Sequence, residues 1–324
     1  MDFEINRKIV QKVLKHIAKN KKPVNYLVST LNISCESAYR RLRGTIPFTV
    51  RELVTLSTDL DFSIDKLFYQ EKQNKEIFDY TRIEDNSSDF FVIMLKKYGE
   101  LIEKINNAKK VESIMAFNSF PPPFFINFTN LFKFVYYKWL HQDKEISRNT
   151  FYSEVILPDE AFILQRKMKK KTVQIKNSVL ILDMNIFFNF IREIQYFYHR
   201  KSLTNDELLL LKEEMLRLIE LFEELTQSGV LGCNKIQIYL SSLNISSNTV
   251  YYNYDDTIEP LFWTFTTNPV IIQSAGFISM QIKWLNFLKR QSELITQSNE
   301  IAQADFFYMQ RRYIDEYLSV ENTI

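Results

Sequence analysis

The sequence predicts a mostly α protein with a smaller antiparallel β part, an α+β chain built as a five-helix N-terminal head and a larger, mainly helical C-terminal domain. Three observations carry that expectation. Only five of 324 residues are glycine, roughly fivefold below ordinary usage, which favours helix over loop-rich or all-β folds. Apolar residues recur at three- and four-residue spacing over most of the chain. Only near 234–272 does the pattern turn to runs of β-branched and aromatic residues. The length exceeds one typical domain, and 46% hydrophobic with 25% charged residues is ordinary for a soluble globular protein. The expected division is a head at 1–70, a linker at 71–88 and an effector or dimerisation domain at 89–324.

The head is read in chain order. Ile5, Ile9, Val13 and Ile17 fall four apart, with Val10 and Leu14 beside them, and the other face is mostly basic with His16 at its surface. That predicts an amphipathic first helix over 5–19. The fixed φ of Pro23 suits the first turn of a second helix that buries Leu27, Val28 and Leu31. After a tight connection, Ser34 is placed as N-cap of a third helix, with Glu36 and Ser37 in its first turn. Gly44 is placed for the left-handed residue that closes it. Thr49 and Glu52 make the capping-box pair of a fourth helix with the stripe Val50, Leu53, Leu56 and Leu60. Ser63 caps a short fifth helix in "SIDKLF".

The stretch "LVSTLNIS", followed by "ESAYRRLRG", Pro47 and "ELVTLSTDLDFSIDKL", resembles the phage-repressor/Cro-type (XRE-like) helix-turn-helix transcriptional regulators. The resemblance covers roughly a fifth of the 324 residues. Two positions depart from the family. Its frequent phosphate-holding glutamine near the start of the second helix is Val24 here, so Lys22 or Asn25 would have to substitute. Its usual apolar residue three before the glycine is Arg41, and Leu42 takes the inward role. The resemblance implies a third helix that enters the major groove with its N-terminal part against base edges. With Ala38 and Leu42 inward, Glu36, Arg40 and Arg43 lie on the opposite side and Tyr39 on a flank. Cys35, Glu36, Ser37, Tyr39 and Arg40 are then the expected base readers. Arginine pairs with guanine O6 and N7, and glutamate accepts from cytosine N4. Lys22, Asn25, Arg41, Arg43 and Thr45 are the expected phosphate contacts.

In the body, the polar segment 71–88 reads as the linker. Residues 90–108 predict a helix, 111–117 a strand, and the prolines 121–123 a hard break. Residues 124–141 predict a helix with aromatics on nearly all sides, hence buried. Pro158 starts another, ending in the basic run 166–171, which is either a second nucleic-acid patch or a solvated helix end. Residues 183–200 predict a further helix. A strong one begins at Leu203 and Thr204, loads acidic residues into its first turn and ends at Gly229. Residues 234–272 predict an antiparallel meander of three to four strands. The last segment, 276–318, is helical. In it Met280, Phe287, Leu294, Ile301 and Tyr308 recur every seven residues, with Leu288, Ile295, Ala302 and Met309 beside them. That repeat fits either core packing or a helix–helix seam between two copies.

The chemistry-bearing residues are few. Cys35 and Cys233 are the only cysteines and allow neither a disulfide framework nor zinc spacing. No phosphate-cradling loop, dinucleotide fingerprint or nucleophile elbow occurs. The expectation is therefore a non-enzyme, with no catalytic residue, no metal and no cofactor. The polar N-terminus and the charges inside the apolar run 178–197 argue against a signal peptide and a membrane span, which makes the cytoplasm the expected compartment. Charge is uneven: residues 1–70 carry 12 Lys and Arg against 7 Asp and Glu, and the rest carries 29 against 32. A small basic head on a near-neutral body is the layout of a nucleic-acid reader with an attached effector domain. The expected function is a sequence-specific DNA-binding transcriptional regulator. Its expected partners are double-stranded DNA and a second copy of the chain, with a small-molecule or peptide effector against the aromatics of 124–139 and 251–265. The alternative is a protein-interaction scaffold that does not bind DNA.

Overall fold

Four helices form the described head: α1 (Asp2–His16), α2 (Pro23–Leu31), α3 (Cys35–Leu42) and α4 (Val50–Asp59). The computed structural model describes residues 2–17, 22–64, 78–79, 87–120, 122–142, 146–169, 175–255, 257–263, 269–272 and 275–320. The chain divides into two compact units, Met1–Ile77 and Phe78–Ile324. The expected fifth helix and most of the 71–88 linker lie outside the described residues. Two corrections to the linker are visible. Phe78–Asp79 forms strand β1, paired with a strand of the body, and the first body helix already begins at Ser87.

The head closes around Val13, Leu27, Ala38 and Leu56, all fully buried, with Ile9, Val10, Phe48 and Phe62 around them. Each helix supplies one apolar stripe, and burying four stripes on one centre lets a unit this small hold together. Asn32, left-handed at φ 52°, ends α2 and turns the chain into α3. Tyr26 donates a hydrogen bond to Asp59 and so ties α2 to α4. Burial, reinforced by that carboxylate, pushes the Tyr26 phenol up to about 12.

Among the described residues, the body holds a nine-stranded sheet covered on both faces. Its strands are β1, β2 (Val111–Phe117), β3 (Asn177–Asp183), β4 (Val230–Leu231), β5 (Asn234–Ser241), β6 (Asn248–Tyr254), β7 (Thr257–Trp263), β8 (Pro269–Ile272) and β9 (Glu293–Leu294), in spatial order β1-β8-β7-β6-β2-β3-β5-β4 with β9 on β5. Strands β2, β3 and β5 run parallel, while β6, β7 and β8 form an antiparallel meander. The sheet is thus mixed, and the purely antiparallel expectation is corrected on two counts. Strand β5 belongs to the parallel set, and β3 occupies residues that read only as part of the apolar run 178–197. The reason is burial on both faces: Leu180 and Leu182 enter one core, Val179 and Ile181 the other. A strand covered twice has no polar alternation to reveal it.

The larger face packs α5 (Ser87–Asn106), α6 (Thr129–Gln142), α7 (Asp159–Lys169), α8 (Ile186–His199), α9 (Asn205–Ser228) and α11 (Glu300–Tyr317); α10 (Ala275–Gln291) covers the other. A 3-10 turn at Pro122–Phe125 leads toward α6, at the break expected of the proline run. Two interruptions correct the reading of 276–318 as one helical segment: β9 and the loop after it separate α10 from α11. The seven-residue repeat therefore cannot form a continuous seam. Met280 and Ile301 stand 59% and 76% exposed on different helices, while their neighbours Leu288 and Ile295 fill the core. The aromatics of 124–139 are also core: Phe125, Phe132, Phe134, Tyr137 and Trp139 are fully buried, and so are Tyr251 and Phe262 nearly. They pack against one another, Phe125 on Phe190 at 4.6 Å for example, so among the described residues most of this aromatic density is core.

Helix ends in the body follow their capping residues. Thr204 and Glu207 form the capping box of α9, and Gly229 closes it at φ 66°. The buried Glu214 of α9 accepts from the Leu131 amide at 2.8 Å and the Asn130 side chain at 3.1 Å, so a carboxylate meets the positive end of α6. Among the described residues, no helix is long and apolar enough to cross a membrane.

Candidate nucleic-acid interface

Helix α3 is held at both ends and along one side. Ser34 caps its start, its hydroxyl accepting from the Ser37 amide at 3.2 Å. Ala38 anchors its inner face at 0% exposure, and Leu42 packs beside it. After the helix, Gly44 adopts φ 77°, and its carbonyl accepts from the buried Asn6 of α1 at 3.0 Å. That contact fixes the loop leaving α3 to the first helix.

The outer face carries Cys35, Glu36, Tyr39, Arg40 and Arg43, all exposed, with Ser37 half-buried at its edge. Tyr39 is 51% exposed, and the Arg43 guanidinium lies 5.9 Å from its ring centre. Neither Arg40 nor Arg43 is paired with a carboxylate of the described head. Lys22 and Asn25 are exposed around the first turn of α2, where Pro23 occupies the first helical position. Val24 packs toward the head core, which explains why an apolar residue stands there.

Two expected phosphate contacts are otherwise engaged. Arg41 turns inward: its Nε donates to Glu52 Oε2 at 3.0 Å and its Nη2 to Oε1 at 2.8 Å, and Nη1 reaches the Ser37 carbonyl at 3.3 Å. The two side chains are only 12% and 14% exposed. Arg41 is therefore a structural clamp between α3 and α4, and the physical reason is the paired fork of guanidinium on carboxylate. Glu52 also accepts from the Thr49 amide at 2.9 Å, completing the capping box of α4. Burial raises the Glu52 carboxyl, but the hydrogen bonds from Arg41 and Thr49 outweigh it and hold the group below its ordinary value. Thr45 is the second correction. Its hydroxyl donates to the Arg40 carbonyl at 2.8 Å, and its amide to the same oxygen at 2.9 Å, so both of its donors close the helix rather than face a phosphate.

What the structure brings together is one exposed patch of Glu36, Tyr39, Arg40 and Arg43 on α3, with Cys35 at its start. His16 is half-buried rather than at the surface, its ring 5.6 Å from that of Phe62 and its Nδ1 2.9 Å from the Lys12 carbonyl. The basic run 166–171 is described only to Lys169, and Arg166 there lies 5.4 Å over the Phe162 ring. No known protein family, curated protein or solved structure matches this chain, so its function rests on the residues themselves.

Proposed function

We propose that the head binds double-stranded DNA through the exposed face of α3 and that the protein is a sequence-specific transcriptional regulator of the phage-repressor/Cro type. The observation that carries this reading is the sidedness of α3. Its alanine is fully buried, while Arg40 and Arg43 are exposed and, among the described residues, pair with no carboxylate. A helix fixed on one side and cationic on the other has the form a major groove accepts. Arg40 and Glu36 are the proposed base readers, with Cys35, Ser37 and Tyr39 beside them. Arg43, Lys22 and Asn25 are the proposed phosphate contacts. Arg41 and Thr45 drop out of the set.

One head of this size makes few base contacts. The reading therefore includes two copies on half-sites about one helical turn apart, where effective concentration raises affinity. Selection of bound fragments from random duplex DNA tests the proposal. A recovered consensus with two related half-sites supports it. Recovery of unrelated sequences, or of none, refutes it and leaves the protein-interaction alternative.

A further inference from the structure

A cleft of about 710 Å³ opens in the body beside α6 and α8. Its polar lining includes Lys138, His141, Arg148, Arg192, Glu193 and Arg200. Among the described residues, Glu193 is the one carboxylate of that lining, and it is paired with Lys138. Among the described residues, the remaining cations of the lining are paired with no carboxylate. Arg200 is held in place: it donates to the Arg148 carbonyl at 2.6 Å and to the Tyr196 hydroxyl at 3.0 Å, its guanidinium 5.3 Å over the Tyr196 ring. Arg148 and Arg192 are exposed; among the described residues no carboxylate pairs with either guanidinium, and that of Arg192 lies 5.8 Å from the Phe188 ring centre.

Two further features mark the recess. His141 Nε2 is buried and has no hydrogen-bond partner. An unmet ring nitrogen costs free energy unless something supplies a partner. Burial, and then the charge of Arg200, push the imidazole below its ordinary value. The second feature is position. Cations near the last turn of a helix offset its dipole, which accounts for Arg200 just past the end of α8. It does not account for Arg192, which lies at the middle of Ile186–His199.

We propose that this cleft binds a small phosphomonoester. Two unpaired guanidiniums match the charge of nearly two that a phosphomonoester carries near neutral pH, and arginine forks suit its oxygens. The volume is in the range of small-molecule sites and leaves room for an organic body beside Tyr196 and Phe197. A nucleic-acid strand is tracked by charges spread along a groove, whereas these line a single recess.

The site lies wholly in the body, so its fate and that of the DNA reading are separable. Calorimetric titration of the full chain with phenyl phosphate, at fixed ionic strength, tests it. Saturable one-site binding is expected, with weaker binding of inorganic phosphate and none of phenol. Arg148→Gln and Arg192→Gln should each weaken phenyl phosphate about tenfold, the size of one charge-assisted hydrogen bond. Both side chains are exposed, so melting temperatures should stay close to that of the native chain. A measurement without variants stands beside this: nitrogen-detected NMR of the histidines should show the His141 signal, and not that of His199, moving with phenyl phosphate. Absence of binding overturns the proposal, as does equal affinity in the double variant. It also fails if a single-stranded oligonucleotide binds this cleft and phenyl phosphate does not.

Discussion

Arg40 and Arg41 are adjacent in the chain and face different surroundings. Arg40 has an open guanidinium, so Arg40→Ala is predicted to cost about 1–3 kcal/mol on the preferred duplex and to relax preference at one base pair, read by competition binding against single-base variants of the site. Arg41 is clamped on Glu52. Arg41→Ala is therefore predicted to lower head stability by about 1–3 kcal/mol, because it leaves a mostly buried carboxylate short of two donors. Hydrogen exchange of the α3 and α4 amides measures that loss. The same pair sets a pH dependence. The Glu52 carboxyl is lower in the folded head than in the unfolded chain, so its contribution is complete above the ordinary carboxylate range and fades as pH falls through the depressed folded value. Amide protection in α4 should decline on acidification, and Glu52→Gln should flatten that decline. The capping box of Thr49 and Glu52 was legible, since its partners lie three residues apart. The clamp was not, because Arg41 meets Glu52 only once two helices have packed.

Helix ends and strands differ in how much of themselves they declare. The boundaries of α9 follow from Thr204, Glu207 and Gly229, side chains and a backbone preference that act locally. Gly229→Ala is predicted to destabilise the body by about 1–2 kcal/mol. Its φ of 66° disfavours any Cβ, and that Cβ would come within 3.0–3.1 Å of Gln297 and Thr296. Urea unfolding followed by the buried Trp139 reads this. By contrast, the carboxylate at the start of α6 comes from Glu214, more than eighty positions along the chain from Asn130 and Leu131. Glu214→Ala should cost about 2–3 kcal/mol in the same assay by orphaning a buried amide. No local pattern announced it. Strand β3 was hidden for a related reason: its neighbours β2 and β5 decide that "SVLILD" is extended, and neither is adjacent in sequence. The helical stripe of α10 and α11 misled in the opposite direction, since a seven-residue count runs straight across β9.

At the scale of the whole molecule, charge separates the basic head from a near-neutral body, and the fold separates them too, at Ile77. Composition changes near residue 70, and the compact units divide a few residues later, inside the stretch read as the linker. The architecture of the body was legible only as helices with some sheet, since a mixed sheet is specified by long-range pairing. DNA binding by the head belongs to this scale, because a reader of DNA must answer to both salt and sequence. The most direct measurement is anisotropy of a labelled, selected duplex titrated with the full chain and with Arg40→Ala across a salt series. A DNA-reading head predicts that log K falls linearly with log salt, by about 0.9 per phosphate neutralised. It also predicts that Arg40→Ala loses most of the preference for the selected site while keeping a slope within about one unit of the parent's. A binding constant indifferent to salt, or one that Arg40→Ala leaves unchanged on the selected and scrambled duplexes alike, would contradict it.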